Sequence, residues 1–393
     1  MPGRWTEVLW ASLKLGLTSF GGPVAHLGYF HREYVVRRRW LDEERYTELV
    51  ALCQLLPGPA SSQLGIAIGV GRAGLWGGLA AWLGFTAPSA VLMAGFALVM
   101  GTVDAGQAAW LHGLKLVALA VVFQAVVGLW TTLASRKGTA AVAVAAACVS
   151  LLSAIPLTQM VVLAAGGAVG AALFRGGEPR PFEPWKLTYR RTTGAVLLGL
   201  FGVLLLGLPL LAAAVPDPLL RWADHLYRSG ALVFGGGHVV LPLLQNEVVA
   251  SGLVSNDVFL AGYGAAQAVP GPLFTIAAFL GAAAQGPVGA LVAVTAIFLP
   301  GALIVVGILP FWSTLRTSRL LRGVLTGVNA AVVGILLAAL YHPIFTTAVR
   351  GPGDLALALA LVLLLMVWNV APWIVVGLGA VGATLLAPWA FSP

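Results

Sequence analysis

The feature that most constrains this chain is a series of long segments without any Asp, Glu, Lys or Arg. Of the 393 residues, 59% are hydrophobic and 9% are charged, whereas about a quarter of a soluble domain is charged. Charge-free runs cover residues 49–71, 73–103, 138–174, 192–214, 258–315, 323–349 and 355–393. Because about 20 apolar residues cross a bilayer, the sequence predicts an all-α polytopic membrane protein with roughly 10 membrane segments.

One charge-free segment, residues 49–71, is interrupted near its middle by Pro57-Gly58-Pro59. Proline removes a backbone donor and collides with the preceding turn, so the triplet breaks a helix. Broken backbone at membrane depth is tolerated only where protein or a water-filled cavity surrounds it. The same triplet returns as Pro270-Gly271-Pro272, and each copy follows a glutamine, Gln54 or Gln267. We therefore expect two matched helix breaks inside the membrane.

The two breaks belong to a duplicated sequence. Phe20 and Phe234 open matching glycine-rich breaks 234 − 20 = 214 residues apart, and Pro57 and Pro270 lie 270 − 57 = 213 residues apart. Two further pairs keep this offset within two residues, namely Pro88 with Pro300 and Gly113 with Gly327. A shared offset at four separate landmarks predicts two homologous halves, and an internal repeat of this kind decides the architecture.

The boundaries of the halves follow from a basic linker in the middle of the chain. We place an N-terminal membrane half at residues 1–174, a cytoplasmic basic linker at 175–191 and a C-terminal membrane half at 192–393. The uninterrupted span at 192–214 has no partner in the first half. This extra span would reverse the direction in which the second half enters the membrane.

The loop charges predict that the halves are oppositely oriented. The loop 31–47 has five arginines, whereas its counterpart near 245–260 has no basic residue. The turn 101–107 has no basic residue, whereas its counterpart at 315–321 begins a cluster of three arginines. Because basic loops are mostly cytoplasmic, equivalent loops face opposite sides, which defines an inverted-topology repeat. Transporters of this kind bind substrate near the midplane, at discontinuous helices.

The same charges leave two paths for the Pro-Gly-Pro segments. If 31–47 is inside and 101–107 is outside, residues 49–103 cross the membrane once in total. The segment 49–71 would then be re-entrant. The alternative is a set of ordinary spans in which one loop breaks the charge rule.

The breaks suit the binding of an anion. A new helix N-terminus has unpaired N–H groups and part of the helix dipole, which together attract anions. Ser61 and Ser62 follow the first Pro-Gly-Pro triplet and add hydroxyl donors, whereas Leu273, Phe274 and Thr275 hold the equivalent region of the second. We expect a site for a tetrahedral divalent oxyanion between the breaks, with its stronger donors in the first half.

The candidate site residues are these breaks together with nearby basic and titratable side chains. Those in the first half are Lys14, Gly21, Gly22, Pro23, His26, Gln54, Pro57, Gly58, Pro59, Ser61, Ser62 and Lys115. Those in the second half are Arg228, Gly235, Gly236, Gly237, His238, Gln267, Pro270, Gly271, Pro272, Thr275 and Asn329. Lys14, Lys115 and Arg228 would supply positive charge, although anchoring at the membrane interface is a competing role. His26 and His238 would carry protons or simply pack.

The sequence resembles the chromate ion transporter family in its long, two-domain form. The resemblance rests on segments 19–28, 38–43, 52–59, 81–90, 234–242 and 267–274. It implies a multi-pass protein of the prokaryotic plasma membrane that exports chromate, with sulfate as a competing or alternative substrate. It also implies that the essential residues lie in these motifs.

Several alternatives remain open at this stage. An oxyanion permease that works inward and a passive anion channel both fit paired breaks. A membrane-embedded enzyme would need a nucleophile or metal constellation, and neither these nor a cofactor motif is visible. The net charge of +8 is concentrated in short loops, so we expect it to set topology rather than to bind nucleic acid. The sequence is compatible with a homodimer. It is also compatible with transport that is coupled to a proton gradient, by antiport, or driven by the membrane potential.

Overall fold

The computed structural model describes residues 4–20, 22–100, 109–153, 158–174, 187, 189–233, 240–315 and 318–390. Over these residues the chain forms helices, and none of the described residues is in a β-strand. Among them, five helices are long and apolar enough to cross a membrane, and four shorter apolar helices accompany them. The predicted all-α polytopic membrane fold is confirmed.

The helices keep the order of the two halves. The first half contains α1 (Arg4–Thr18), α2 (Gly22–Phe30), a π-helix (His31–Arg37), α3 (Glu43–Leu55), α4 (Ala60–Met100), α5 (Ala109–Leu133), α6 (Lys137–Leu152) and α7 (Thr158–Leu173). The extra span is α8 (Arg191–Ala214). The second half contains α9 (Pro218–Leu232), α10 (Val240–Val248), α11 (Asn256–Ala266), a 3-10 turn (Leu273–Thr275), α12 (Ile276–Ile308), α13 (Trp312–Leu315), α14 (Arg319–Ala339), α15 (Thr346–Ala348), α16 (Pro352–Met366) and α17 (Pro372–Ala390). Most of the predicted linker 175–191 lies outside the described residues.

Two of the long helices, α4 and α12, are hairpins of two antiparallel arms. The backbone leaves helical geometry at Ala73 (φ −142°, ψ 23°) and Gly74 (φ 67°, ψ −160°) in α4. It does so with nearly the same angles at Gln285 (φ −135°, ψ 17°) and Gly286 (φ 65°, ψ −159°) in α12. Glycine tolerates the positive φ that this turn requires. The two turns are 285 − 73 = 212 residues apart, which extends the repeat to backbone detail.

The arms of each hairpin touch through glycine. A Cβ atom on Gly77 would lie 2.1 Å from the carbonyl oxygen of Gly69, and one on Gly289 would lie 2.3 Å from that of Gly281. Real side-chain carbons do not approach so closely, so the backbones of the two arms are in direct contact. Small residues allow this approach between membrane helices.

The first Pro-Gly-Pro segment folds back on itself, as the predicted re-entrant path requires. The arm Ala60–Arg72 ends at Arg72, whose guanidinium lies 3.0 Å from a Glu7 carboxylate oxygen, and Arg38, just before α3, reaches the other oxygen at 3.5 Å. Both guanidinium groups also lie over the ring of Trp40, at 5.1 and 5.2 Å. Two 13-residue helices in line would separate these groups by about 40 Å. The chain therefore enters through α3, breaks at the triplet and returns to the level at which it started.

The helices group into two compact units, and each unit contains segments from both halves. Unit 1 comprises the described residues of Met1–Ala94, Gly176–Val240 and Pro270–Leu321, and unit 2 those of Gly95–Arg175, Leu241–Val269 and Arg322–Pro393. The units therefore differ from the sequence halves. The predicted boundaries at 174 and 192 describe the repeat rather than these units.

Unit 1 contains the same helix contact twice. Helix α12 packs along α8 and α9. A Cβ on Gly230 of α9 would lie 2.1 Å from the Ile297 oxygen, and one on Gly16 of α1 would lie 2.7 Å from the Phe85 oxygen of α4. The offsets are 230 − 16 = 214 and 297 − 85 = 212, so these are equivalent contacts.

Unit 2 is built around α5 and α14, which are also equivalent helices. Helix α5 packs against α11, α16 and α17. A Cβ on Gly113 of α5 would lie 2.3 Å from the Gly379 oxygen of α17, and one on Gly327 of α14 would lie 2.0 Å from the Gly166 oxygen of α7. In this unit, each half packs its central helix against the terminal helix pair of the other half.

The re-entrant path predicts which positions face the same side of the membrane. In a Cys53→Ala/Cys148→Ala background, Glu44→Cys and Leu75→Cys should react with a membrane-impermeant maleimide from one side. Leu98→Cys, near the far end of α4, should react from the other. Labelling in right-side-out and inverted vesicles measures this. Reaction of residues 44 and 75 from opposite sides would show that the segment spans the membrane.

Candidate functional site

The Pro-Gly-Pro break of each half is bonded to the glycine break of the other half, and all four bonded residues lie in unit 1. The Gly58 N–H donates to the Val233 carbonyl at 2.6 Å, and the Gly271 N–H donates to the Ser19 carbonyl at 2.9 Å. Val233 and Ser19 are the residues just before the Phe-Gly-Gly motifs, and 233 − 19 = 214. Both glycines have a positive φ, +118° and +100°. The structure therefore joins the two kinds of break reciprocally.

The first break leads into the N-terminus of the re-entrant arm. Pro59 precedes Ala60, the first residue of α4, so the N–H groups of the first turn have no partner one turn earlier in the helix. Ser61 and Ser62 are buried here, at 4% and 2% exposure. Among the described residues, no hydrogen-bond partner is found for the Ser62 hydroxyl. Unused donors at a helix N-terminus are suited to an anion.

Gln63 fastens this break to α12. Its side-chain Nε2 donates to the Pro57 carbonyl at 2.7 Å and to the Gly301 carbonyl at 3.2 Å, and the residue is fully buried. A Cβ on Gly301 would lie 2.9 Å from Cδ of Pro59. The first break therefore rests on the second half of the chain. Its sequence equivalent, Ile276, has no amide with which to repeat this contact.

The second break is surrounded by hydroxyl groups of the first half. A Cβ on Gly271 would lie 2.8 Å from Oγ of Ser89, and Ser89 itself donates to the Thr86 carbonyl. The hydroxyls of Ser19 and Thr86 are buried, and no hydrogen-bond partner is found for either among the described residues. The hydroxyl of Thr275, by contrast, donates back to the Pro272 carbonyl at 2.8 Å. Hydroxyl side chains of the first half therefore lie close to both breaks.

These contacts reveal site residues that sequence reasoning missed. Gln63, Ser19, Thr86 and Ser89 were not among the candidates. Thr86 and Ser89 flank Pro88, which is one of the landmarks of the repeat. The polar residues around that landmark could therefore have been selected as candidates. Their partner could not be predicted in this way, because Ser89 contacts the Pro-Gly-Pro triplet of the second half rather than that of the first.

The first glycine break is described only in part. Gly22 begins α2 with φ +77°. His26 is fully buried in α2 and packs edge-on against Phe85, with the ring centroids 5.3 Å apart. Pro23 is described by its backbone alone. Gly21 and the second-half residues Gly235, Gly236, Gly237 and His238 lie outside the described residues.

The two matched basic residues of unit 1 are both paired with carboxylates. Lys14 Nζ lies 3.3 Å from a Glu33 oxygen, and the lysine side chain is half exposed. Arg228 binds both oxygens of Asp224, at 3.1 and 3.0 Å. These carboxylates offset the charge that each cation would otherwise offer to an anion. The predicted role of Lys14 and Arg228 in substrate binding stays a prediction.

Glu33 is the centre of a charge cluster at the end of α2. Its carboxylate accepts from Arg38 at 2.7 Å and also lies 3.3 Å from both Lys14 and Arg37. Burial alone would raise the pKa of Glu33, but the hydrogen bonds and charges of Arg38 and Lys14 hold this pKa below its ordinary value. The carboxylate therefore stays ionised and fixes the loop that precedes α3.

The remaining candidate site residues lie in unit 2 or on the exposed surface of α3. Lys115 is buried in α5, and its Nζ lies 2.6 Å from Asp257 at the start of α11. Gln267 and Asn329 are also buried in unit 2. Gln54 is exposed on α3. Within the described residues, no group of three or more His, Cys, Asp and Glu side chains is placed to hold a metal ion.

This geometry is that of a class of membrane transporters. In that class, helices are broken at matching positions of two repeats, and the broken ends form the substrate site. A family model described as "Chromate transporter" matches the chain twice, over residues 6–171 and 220–384. The chain belongs to the chromate transporter family. The two matched regions correspond to the two halves inferred from the repeat.

Relatives that align with most of the chain come from several organisms. A "Chromate transport protein" of Pseudomonas aeruginosa is 29% identical over 89% of this chain and 84% of the relative. A "Chromate transport protein" of Cupriavidus metallidurans is 28% identical over 94% of this chain and 90% of the relative. A protein described as an uncharacterized transporter of Methanocaldococcus jannaschii is 24% identical over 84% of this chain and 82% of its own length. No solved structure matches the chain.

The second break predicts a severe effect of adding one methyl group. Gly271→Ala places a side chain at a left-handed φ, which costs roughly 1–2 kcal/mol, and also drives Cβ against Ser89. Gly252→Ala is the matched control, because Gly252 has φ +74° with open space around it. Thermal unfolding in detergent should show a larger loss for Gly271→Ala than for Gly252→Ala. Equal losses would mean that the contact with Ser89 is unimportant.

The charge cluster predicts a loss of stability in acid. A carboxylate with a lowered folded-state pKa stabilises the protein above its unfolded pKa, and the contribution disappears as pH falls through the folded value. The ordinary value for Glu33 is 4.5, so the loss should occur at and below that pH. Glu33→Gln should be less stable than wild type at neutral pH and should change less on acidification. Thermal melts across pH measure both, and parallel curves would contradict the assignment.

Proposed function

We propose that this chain exports chromate, a tetrahedral divalent oxyanion, and thereby confers resistance to it. The observation that carries the proposal is the reciprocal bonding of the breaks in unit 1, which gathers anion-binding backbone from both halves. The names of the Pseudomonas and Cupriavidus relatives support chromate as the substrate. Sulfate, which has the same charge and shape, is the expected competitor.

The proposed site combines backbone and neutral hydroxyl donors. Ser61 and Ser62 would donate at the first break, and the Ser19 hydroxyl at the second. The N–H groups of Gly58 and Gly271 are bonded to Val233 and Ser19, so they would hold the two breaks in place. Gly21, Gly22, Gly236, Gly237 and Thr275 are the further donors inferred from the sequence. Backbone N–H groups in consecutive order bind oxyanions without a formal charge. Lys14, Lys115 and Arg228 would add positive charge to the site, and the carboxylate beside each of them would reduce that contribution.

The proposed setting is the prokaryotic plasma membrane. The five long apolar helices of the described chain support a multi-pass protein. The linker 175–191 would be cytoplasmic because it is basic, and the two halves would then have opposite orientations. The labelling experiment on residues 44, 75 and 98 also reports this sidedness, since the arginine-rich loop 31–47 should face the cytoplasm.

Counterflow in proteoliposomes tests the proposed function. Vesicles loaded with unlabelled chromate should accumulate labelled chromate transiently, because a carrier exchanges internal for external substrate. Sulfate should compete for this uptake, and a chloride-loaded vesicle is the control. Uptake without any dependence on internal chromate would indicate a channel. If neither chromate nor sulfate moves saturably, the oxyanion proposal is wrong.

The unpartnered hydroxyls predict a graded loss of affinity. A hydrogen bond to a charged group contributes roughly 1.5–3 kcal/mol, so Ser62→Ala should raise the KM for chromate about tenfold or more. Ser19→Ala should act in the same direction at the second break. Ser251→Ala is the matched control, because that exposed hydroxyl donates to the Glu247 carbonyl in unit 2. An unchanged KM for both variants would remove these hydroxyls from the site.

A further inference from the structure

Unit 2 contains an open cavity, lined by both polar and apolar side chains, that the proposed oxyanion site does not use. Its volume is about 500 Å³. The cavity is lined by the C-terminal end of α6, the first turn of α7, and residues of α10, α11, α14 and α15. None of the described lining residues is Asp, Glu, Lys or Arg, although many of them are amides or hydroxyls. A cavity of this size with amide and hydroxyl groups in its wall can hold a small ligand or ordered water.

Three buried oxygen atoms of the lining residues have no hydrogen-bond partner within the described structure. They are Oγ of Ser150, Oε1 of Gln159 and Oε1 of Gln245. They come from three separate helices, α6, α7 and α10. Buried polar atoms normally have a hydrogen-bond partner, so these three atoms indicate a partner from outside the described protein residues.

The amide nitrogens beside these oxygens are already used. Gln159 Nε2 donates to the Pro242 carbonyl at 3.4 Å, and a carbonyl can only accept. Gln245 Nε2 donates to Asn256 Oδ1, and Asn256 Nδ2 donates to Thr347 Oγ1 at 2.8 Å. These bonds orient both glutamine oxygens as free acceptors. The two amide oxygens can therefore only accept, whereas the Ser150 hydroxyl can accept or donate.

We propose that this cavity binds a monovalent alkali cation. Hard cations prefer amide, hydroxyl, carbonyl and water oxygens. A divalent ion would leave two buried charges, and the described lining has no carboxylate to offset them, whereas an ion of single charge needs less compensation. Ser150, Gln159 and Gln245 supply protein ligands, and the remaining volume admits waters that complete the shell. In broken-helix transporters, coupling ions also bind to uncharged oxygen ligands, which there are backbone carbonyls.

Direct binding of the ion tests the proposal without any transport step. Purified full-length protein in detergent is incubated with radioactive sodium, or with rubidium as an analogue of potassium, in a choline background. The assay buffer is held at one mildly alkaline pH. Saturable binding of at least one ion is expected. Saturable binding of neither ion would overturn the proposal.

Substitutions identify the cavity as the site. Gln159→Leu and Gln245→Leu should each weaken binding about tenfold or more, as loss of a metal-site contact usually does. Gln124→Leu is the matched control, since Gln124 is a part-buried glutamine of unit 2 that donates to the Leu365 carbonyl and does not line the cavity. Equal loss in the control and the cavity variants would place the ion elsewhere.

A gain of affinity separates a cation site from general damage to the fold. Gln159→Glu adds a negative charge beside the ion, so it should tighten cation binding, whereas a merely destabilised protein could not bind more tightly. Weaker binding in Gln159→Glu would contradict the cation assignment. The assay contains no chromate, so its outcome is independent of the oxyanion proposal. Conversely, a failed counterflow experiment would leave a cation site intact.

Discussion

The structure of unit 1 depends on two backbone hydrogen bonds, from Gly58 to Val233 and from Gly271 to Ser19. A proline-flanked glycine cannot continue a helix, and its N–H must find an acceptor once it is buried. Each half solves this problem with a carbonyl at the glycine break of the other half. Neither break is therefore complete on its own, and the duplication is what makes both tolerable in an apolar environment.

Equivalent positions in the two halves have kept their contacts while their chemistry has diverged. His31 bonds to Glu43 in unit 1, and their equivalents Gln245 and Asn256 bond to each other in unit 2. The offsets are 245 − 31 = 214 and 256 − 43 = 213. Backbone geometry is retained even more closely, as the two hairpin turns show. The two halves have thus kept the same backbone geometry, whereas the side chains at equivalent positions differ in chemistry.

The sequence was sufficient for features that arise from local chemistry. Proline and glycine located the breaks, their common offset located the repeat, and loop arginines indicated the re-entrant path that the contacts of Arg38 and Arg72 with Glu7 support. These inferences succeeded because each depends on residues close together in sequence or on a simple count of charges.

Partners across the fold were beyond sequence reasoning. Nothing in the sequence indicated that Ser89 would meet Gly271, because the two lie in different halves of the chain. The pairing of Lys14 with Glu33 was missed for the same reason, because only the three-dimensional contacts show that a carboxylate is beside this lysine. Asp224 and Arg228, by contrast, are four residues apart on α9, so the sequence did contain the signal for their ion pair.

The His31–Glu43 contact and its equivalent, Gln245–Asn256, make the two halves chemically different. The first-half pair is made of two titratable groups, whereas the second-half pair is made of two amides that no change in acidity alters. Only the first-half copy of this contact can therefore form an ion pair. The two halves are nearly symmetric in backbone and differ in the charge that the same position can carry.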